Sequence, residues 1–99
     1  MNLQKDLPIR NKEYLKWVST LDCSVCGAPA DDPHHLIGIG YGGTGTKACD
    51  LYSMPVCRGC HTAIHQTPKS QLEQWMYIAK TLRTAVKQGV LVFSGDYPK

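Results

Sequence analysis

Cys57-Arg-Gly-Cys60-His61-Thr-Ala-Ile-His65 is the stretch that decides the fold, because it places four metal-binding side chains within nine residues. Cysteines with two residues between them can direct both sulfurs at one ion. Histidines four positions apart lie on one face of a helix, so His61 and His65 can bind one ion together. The stretch therefore predicts a helix from Cys57 to Gln66 that begins at one metal site and carries two ligands of another.

An earlier pair of cysteines, Cys23-Ser-Val-Cys26, has the same spacing. Together the two pairs complete a tetrahedral zinc site with no open position, which is structural rather than catalytic. Four unconnected thiols, or a redox pair in each motif, are the alternatives. The first ten residues lack the apolar run of a signal peptide, so we expect a reducing, cytoplasmic location, where paired cysteines more often bind metal than form disulfides. We expect no ligand role for the fifth cysteine, Cys49.

The size and composition of the chain indicate one globular domain over residues 1–99. Its 99 residues leave too little length for a second core, and 42% hydrophobic against 19% charged residues is typical of folded proteins. The formal charge of +3 favours an anionic partner weakly and neither requires nor excludes nucleic acid. No segment is apolar for long enough to span a membrane, so we expect no membrane partner.

Helical periodicity on both sides of the cysteine and histidine region predicts two flanking helices. The first spans residues 11–21, with apolar residues on one face at Tyr14, Leu15, Trp17, Val18 and Leu21. The second follows Thr67-Pro68, a pair that indicates a helix start, and ends at Gly89. Its expected buried face consists of Leu72, Trp75, Met76, Ala79, Leu82 and Val86.

Three short strands are predicted, at His34–Ile37, Leu51–Val56 and Val90–Phe93, so the expected fold class is α+β. The glycine-rich segment Gly38-Ile-Gly40-Tyr-Gly42-Gly43 matches the dinucleotide-binding pattern letter by letter. That pattern needs a helix after the glycines, but a loop follows, so we expect no nucleotide cofactor. The segment is either a flexible connection between strands or, together with Lys47, a contact to a phosphate.

The other two histidines, His34 and His35, are adjacent in the first predicted strand. Neighbouring residues of a strand point to opposite faces. Only one of the two can therefore join His61 and His65 on an ion, which leaves the other free to act as a base. Three protein ligands with open positions are typical of a catalytic metal. Unrelated core or surface histidines, and a second structural zinc, are the alternatives.

These motifs together resemble the HNH nucleases. The resemblance is carried by Pro33-His34-His35, the glycine-rich loop, Asp50-Leu51 and the segment from Pro55 to His61. In more detail, the motifs are similar to the phage-encoded recombination-enhancement (Ref-type) nucleases and related prophage proteins. The match covers residues 23–66, the motif core. It implies a zinc-stapled ββα-metal core, in which a helix crosses a two-stranded hairpin and both frame the metal, flanked by an N-terminal and a C-terminal helix.

The resemblance also implies roles for individual residues. His35 would be the general base. The catalytic ion would be held by three histidines, His34, His61 and His65. The middle residue of the motif is usually an asparagine that orients the base, but the only asparagines here are at positions 2 and 11. Asp50 is the best substitute in this chain, with Ser53 behind it.

The expected function is metal-dependent hydrolysis of phosphodiester bonds in DNA, in phage or prophage recombination or DNA processing inside a bacterial host cell. Three imidazoles favour zinc, nickel or manganese at the catalytic site, and magnesium becomes plausible if Asp50 joins the ion. Lys47 and Arg58 are the expected nucleic-acid contacts. The alternative is a zinc-stapled module without catalysis that binds nucleic acid or acts as an adaptor to a recombinase filament.

Overall fold

The secondary structure is known from a computed structural model, which describes residues 9–36, 48–67 and 71–93. The chain forms, in order, α1 (Lys12–Val18), β1 (Asp32–His35), β2 (Ser53–Val56), α2 (Arg58–Gln66) and α3 (Gln71–Lys87). Within these described residues, three helices and a two-stranded antiparallel sheet make a small α+β fold, as predicted. Ile37, the glycine-rich loop, Lys47 and Pro68 lie outside the described residues. Among the helices that are described, none has the length and apolar character needed to cross a membrane.

The sheet is a hairpin that presents two histidines in different surroundings. All four residues of β2 are buried, whereas in β1 only His34 is buried and the next residue, His35, is partly exposed. Pro33 lies opposite Pro55, at a position where neither strand supplies a backbone N–H. The alternation along β1 therefore directs the two histidine rings to opposite faces of the hairpin.

α1 packs against the C-terminal part of α3. It is shorter than predicted, because a turn at Ser19 ends it after Val18. Asn11 caps its start by accepting a hydrogen bond from the backbone N–H of Tyr14 at 3.0 Å. Tyr14 and Val18 then pack against Ala85 of α3 in a small second core. This contact holds the N-terminal residues of α1 close to the hairpin.

The main core lies between the hairpin, α2 and α3. Its buried members are Cys23, Leu36, Ala48, Met54, Val56, Ile64 and Ile78. α2 begins immediately after Cys57, whose sulfur accepts a hydrogen bond from the backbone N–H of Cys60 at 3.5 Å. This matches the helix predicted over Cys57–Gln66. α2 buries only Ile64, so its histidine face remains at the edge of the core.

The buried face of α3 differs from the prediction. Of the predicted face only Trp75 and Leu82 pack against the core. The other four residues are exposed: Leu72, Met76, Ala79 and Val86. The buried positions are instead Gln74, Ile78, Thr81 and Ala85. The prediction is wrong because α3 packs Ile78 into the main core and Ala85 against α1, a face that shares only Trp75 and Leu82 with the predicted one.

α3 ends at the predicted glycine. Gly89 adopts φ 76, the left-handed conformation typical of the residue after a helix, and the N–H of Val90 donates to the carbonyl of Ala85 at 2.8 Å. The strand predicted over Val90–Phe93 is wrong, because these residues form no strand and Phe93 is exposed. A short apolar run becomes a strand only where a neighbouring strand satisfies its backbone N–H and C=O groups.

Candidate metal centres

The two cysteine pairs come together in one group. All four sulfurs lie within 4.8 Å of one another, in Cys23, Cys26, Cys57 and Cys60. The sulfurs of Cys26 and Cys57 are 3.7 Å apart, and all four residues are free cysteines. Sulfurs bound at about 2.3 Å to a tetrahedral zinc are about 3.8 Å apart. The group could therefore hold a structural zinc, and Cys49 is not part of it.

Local backbone conformation brings each cysteine pair to this group. In the first pair, the N–H of Gly27 donates to the carbonyl of Cys23 at 3.0 Å, and Gly27 takes φ 82, which a residue with a Cβ rarely adopts. The N–H of Ser24 donates to the carbonyl of Pro55 at 2.9 Å, which fastens this turn to β2. The second pair lies in the first turn of α2, after its cap Cys57. A metal here would tie the segment after α1 to the hairpin and to α2.

The thiols of the cysteine group differ in how readily they lose their protons. Burial alone would raise the pKa of Cys23, but backbone N–H groups directed at its sulfur outweigh burial and lower that pKa to about 6. A hydrogen bond to Cys57 raises the pKa of Cys60 to about 12. Without metal, Cys23 thus loses its proton more readily than Cys60, whose proton a bound metal ion would displace.

Three of the four histidines form a second group. Their ring nitrogens lie within 4.8 Å of one another, in His34, His61 and His65. The Nε2 atoms of His61 and His65 are 3.1 Å apart, and nitrogens bound to one zinc at about 2.1 Å are about 3.4 Å apart. Nε2 of His34 is buried and has no hydrogen-bond partner among the described residues. A buried nitrogen without a partner is costly, and an ion between the three rings would remove that cost.

The electrostatics of His34 suit a metal ligand. The residue is only 2% exposed, and burial, followed by the neighbouring charge of His61, lowers the pKa of His34 from 6.5 to about 4. Its ring is therefore neutral at pH 7, the form that donates a lone pair to a metal. The ring lies nearly perpendicular to those of His61 and His65, at 82° and 75°, so the three rings converge from different directions.

Two residues outside every predicted site hold rings of this histidine group. Asp32 accepts a hydrogen bond from Nδ1 of His61 at 3.1 Å, and the side chain of Gln74 hydrogen-bonds the ring of His34. Strand alternation could have indicated Asp32, because it precedes His34 by two residues and lies on the same face of β1. No sequence pattern points to Gln74, which lies on α3 outside the motif core.

His35 lies apart from this group and is paired with Asp50. Its Nε2–H donates to Oδ1 of Asp50 at 2.8 Å. The backbone N–H of Asn11 donates to Oδ2 at 2.7 Å and Arg10 donates to Oδ1 at 3.1 Å. Burial alone would raise the pKa of Asp50, but hydrogen bonds from His35, Asn11 and Arg10 hold it below its usual value. The hydroxyl of Ser53 donates to the backbone carbonyl of Asp50, so it supports the residue but not its carboxylate.

The two expected nucleic-acid contacts have different outcomes. Lys47 lies outside the described residues. Arg58 is at the start of α2 with a largely exposed side chain, and its guanidinium donates to both oxygens of Asp32, at 3.0 and 3.3 Å. The guanidinium of Arg58 therefore lies beside the histidine group, bonded to the same carboxylate that accepts from His61.

Comparisons with known proteins place this chain in a family without a described activity. A family model described as "Protein of unknown function (DUF968)" matches residues 1–89. The "Uncharacterized protein YdfU" of Escherichia coli K12 is 52% identical over 65 residues, which cover 66% of this chain and 19% of that protein. The "Mitochondrial DNA mismatch repair protein mutS homolog" of Sarcophyton glaucum is 31% identical over 94 residues, covering 79% of this chain and 9% of that protein. The chain thus spans less than a fifth of the length of either relative, and no solved structure matches it.

Proposed function

The chain belongs to the DUF968 family, and from that premise we propose that it is a metal-dependent endonuclease of the HNH (ββα-metal) type that hydrolyses phosphodiester bonds in DNA. The observation that carries the proposal is that the four histidines have two different kinds of surroundings. Three converge with their nitrogens within 4.8 Å, while the fourth, His35, is held separately by a buried carboxylate. A purely structural site would leave no reason for that fourth histidine to be oriented.

The second metal would be held by His34, His61 and His65, which supply nitrogen donors only. When bound, a divalent ion supplies Lewis-acid stabilisation of the scissile phosphate and of the departing 3′ oxygen. Nitrogen donors favour zinc, nickel or manganese over magnesium. Asp50 is engaged with His35, and among the described residues no carboxylate joins the group to shift the preference toward magnesium.

His35 is the proposed general base. Asp50 accepts a hydrogen bond from Nε2–H, so the lone pair of this tautomer is on Nδ1, which can take a proton from the attacking water. Asp50 in turn is fixed by Arg10 and Asn11, which limits rotation of the imidazole. In this arrangement Asp50 takes the orienting role that asparagine has in the HNH motif, and the resemblance implies products with 5′-phosphate and 3′-hydroxyl ends.

DNA is the proposed substrate class. The support comes from the resemblance to HNH nucleases and from the similarity to a protein named for DNA mismatch repair, and the formal charge of +3 is compatible with it. Arg58 lies beside the proposed metal centre with an exposed side chain, where it can contact a phosphate next to the scissile bond. Recombination or DNA processing in a phage or prophage, with a recombinase filament as a further partner, follows from the Ref-type resemblance.

The proposal is tested by incubating the full chain, loaded with zinc at the cysteine group, with supercoiled, single-stranded and branched DNA. Manganese, nickel, zinc and magnesium are compared. We expect cleavage by the wild type, cleavage slower by about 10²- to 10⁴-fold by His35→Ala at an unchanged metal content, and none by His61→Ala together with loss of the second metal. Binding of DNA without cleavage under every condition would instead favour a zinc-stapled binding module.

A further inference from the structure

Two rings of the histidine group are hydrogen-bonded on the side that faces away from the centre of the group. His61 donates from Nδ1 to Asp32, while its Nε2 faces Nε2 of His65 at 3.1 Å. His34 is hydrogen-bonded by Gln74, while its Nε2 is the buried atom without a partner among the described residues. In both rings one nitrogen is thus occupied by a protein partner and the other is directed inward.

We propose that Asp32 and Gln74 are positioning residues of the metal centre, each fixing one histidine as the Nδ1–H tautomer so that Nε2 is the ligand atom. The inference rests on the metal site of the proposed function. It adds to that site the carboxylate of Asp32, which no motif contains, and Gln74 of α3, which lies outside the motif core. Neither residue touches the reacting atoms. Partners of this kind set both the tautomer and the orientation of a ligating histidine.

Asp32 is suited to this role because it is itself immobilised. Arg58 donates Nε–H to Oδ2 at 3.0 Å and a terminal N–H to Oδ1 at 3.3 Å, so the carboxylate is held on one side by the guanidinium and on the other by the imidazole of His61. Hydrogen bonds from His61 and then Arg58 lower the pKa of Asp32, which keeps it an acceptor. Held in this way, Asp32 is not one of the group's candidate ligands.

Gln74 is suited to its role because it is buried in α3 and its side chain hydrogen-bonds the buried ring of His34. It is 1% exposed on the face of α3 that also buries Ile78, Thr81 and Ala85. Placing an amide there costs free energy unless the amide is hydrogen-bonded, and its contact with His34 supplies that bond. Since His34 is also buried, a substitution at Gln74 would leave the Nδ1–H of His34 unsatisfied or release His34 to the other tautomer.

The substitutions Asp32→Asn and Gln74→Met test the inference, each with a matched control. Asp31→Asn removes the same charge one residue away, where Asp31 bonds the backbone of Arg58 rather than a histidine. Thr81→Val removes another buried polar group from the same face of α3, the Thr81 hydroxyl that donates to the carbonyl of Tyr77. Asparagine at 32 can present an amide N–H to Nδ1 and so favours the wrong tautomer of His61, whereas a merely structural role for Asp32 would not affect the tautomer.

The first measurement is the affinity of the second Zn²⁺, obtained by chelator competition on full chain that already carries one Zn²⁺ at the cysteines. We expect affinity to fall about 10- to 100-fold in Asp32→Asn and Gln74→Met and to change less than about 2-fold in the two controls. Equal affinity in wild type and both test variants would overturn the inference alone. A wild type that binds no second Zn²⁺ would overturn the proposed function, and the inference with it.

The second measurement is the tautomer itself, read from long-range ¹⁵N–¹H correlation spectra of the same one-zinc chains at neutral pH. We expect His61 and His34 to carry the proton on Nδ1 in the wild type and in both controls. In Asp32→Asn the proton of His61 should move to Nε2, and in Gln74→Met that of His34 should do so. Wild-type rings protonated on Nε2, or tautomers that do not respond to these two substitutions, would overturn the inference.

Discussion

Lowering the pH should destabilise the chain through a single buried residue, His34, while its site holds no metal. Burial and the neighbouring His61 lower the pKa of His34 from 6.5 to about 4. Between these two values the unfolded chain takes up a proton at this position and the folded chain does not. The free energy of unfolding therefore falls as the pH drops from about 6.5 toward 4, and this contribution is fully present above pH 6.5.

The size of the effect follows from the same two pKa values. At about 1.4 kcal/mol for each pH unit, a pKa lowered from 6.5 to about 4 corresponds to about 3 kcal/mol of stability. That is a large share of the roughly 5–15 kcal/mol of a typical domain. Asp32 and Asp50 also have lowered pKa values, but their stabilisation is lost only as the pH falls below the usual aspartate range, so the two windows are separate.

Urea unfolding between about pH 7 and pH 4.5, on chain with one zinc at the cysteines, measures this contribution. The reference is His34→Gln, which cannot titrate and whose amide can still bond Gln74. Acid release of zinc from the cysteines affects both proteins equally, so only the difference between their curves is interpreted. We expect the wild type to lose about 2–3 kcal/mol more than the variant over this range. Parallel curves would show that protonation of His34 does not destabilise the fold.

Three further predictions concern the cysteines, the proposed base and the core. Cys57→Ser, or removal of zinc by a chelator, should unfold the chain by circular dichroism, because a small core depends on its metal; native spectra after zinc loss would contradict this. His35→Ala should lower the cleavage rate by about 10²- to 10⁴-fold at constant metal content, and Asp50→Ala by less; an active His35→Ala rejects the base. Ile78→Ala should cost about 2–5 kcal/mol in urea unfolding and Leu72→Ala less than about 0.5 kcal/mol; equal losses would reject the observed face of α3.

The cysteine group and the histidine group, both candidates for metal binding, could be predicted from the sequence because the residue spacings that indicate them are short. The spacing within Cys57–Cys60 and within His61–His65 fixes which atoms share a side of the chain, and it is independent of how the rest of the protein packs. The joining of the two cysteine pairs follows from chemistry, since a two-cysteine site is incomplete. Strand alternation indicated that only one of His34 and His35 can join His61 and His65, and the structure groups His34 with them while His35 bonds Asp50.

The supporting contacts could not be predicted, because they join segments that are distant in sequence. Arg10 and Asn11 bond a carboxylate about 40 residues away, and no local pattern encodes that approach. The apolar residues of α3 suggested a face containing Leu72, which is 70% exposed. The helix instead buries Ile78 in the main core and Ala85 against α1, with Gln74 on the same face bonded to His34. Tertiary contacts of this kind routinely override local preference.

In the proposed function, the metal held by the three histidines is the one that cuts DNA. The most direct test titrates Mn²⁺ into full chain that already carries one Zn²⁺ at the cysteines, and measures the nicking rate of supercoiled DNA against occupancy of the second site. We expect no nicking with the first metal alone, a rate that rises in proportion to second-site occupancy, and saturation at two metals per chain. A full rate with only the cysteine zinc bound, or no nicking when both sites are filled, would contradict it.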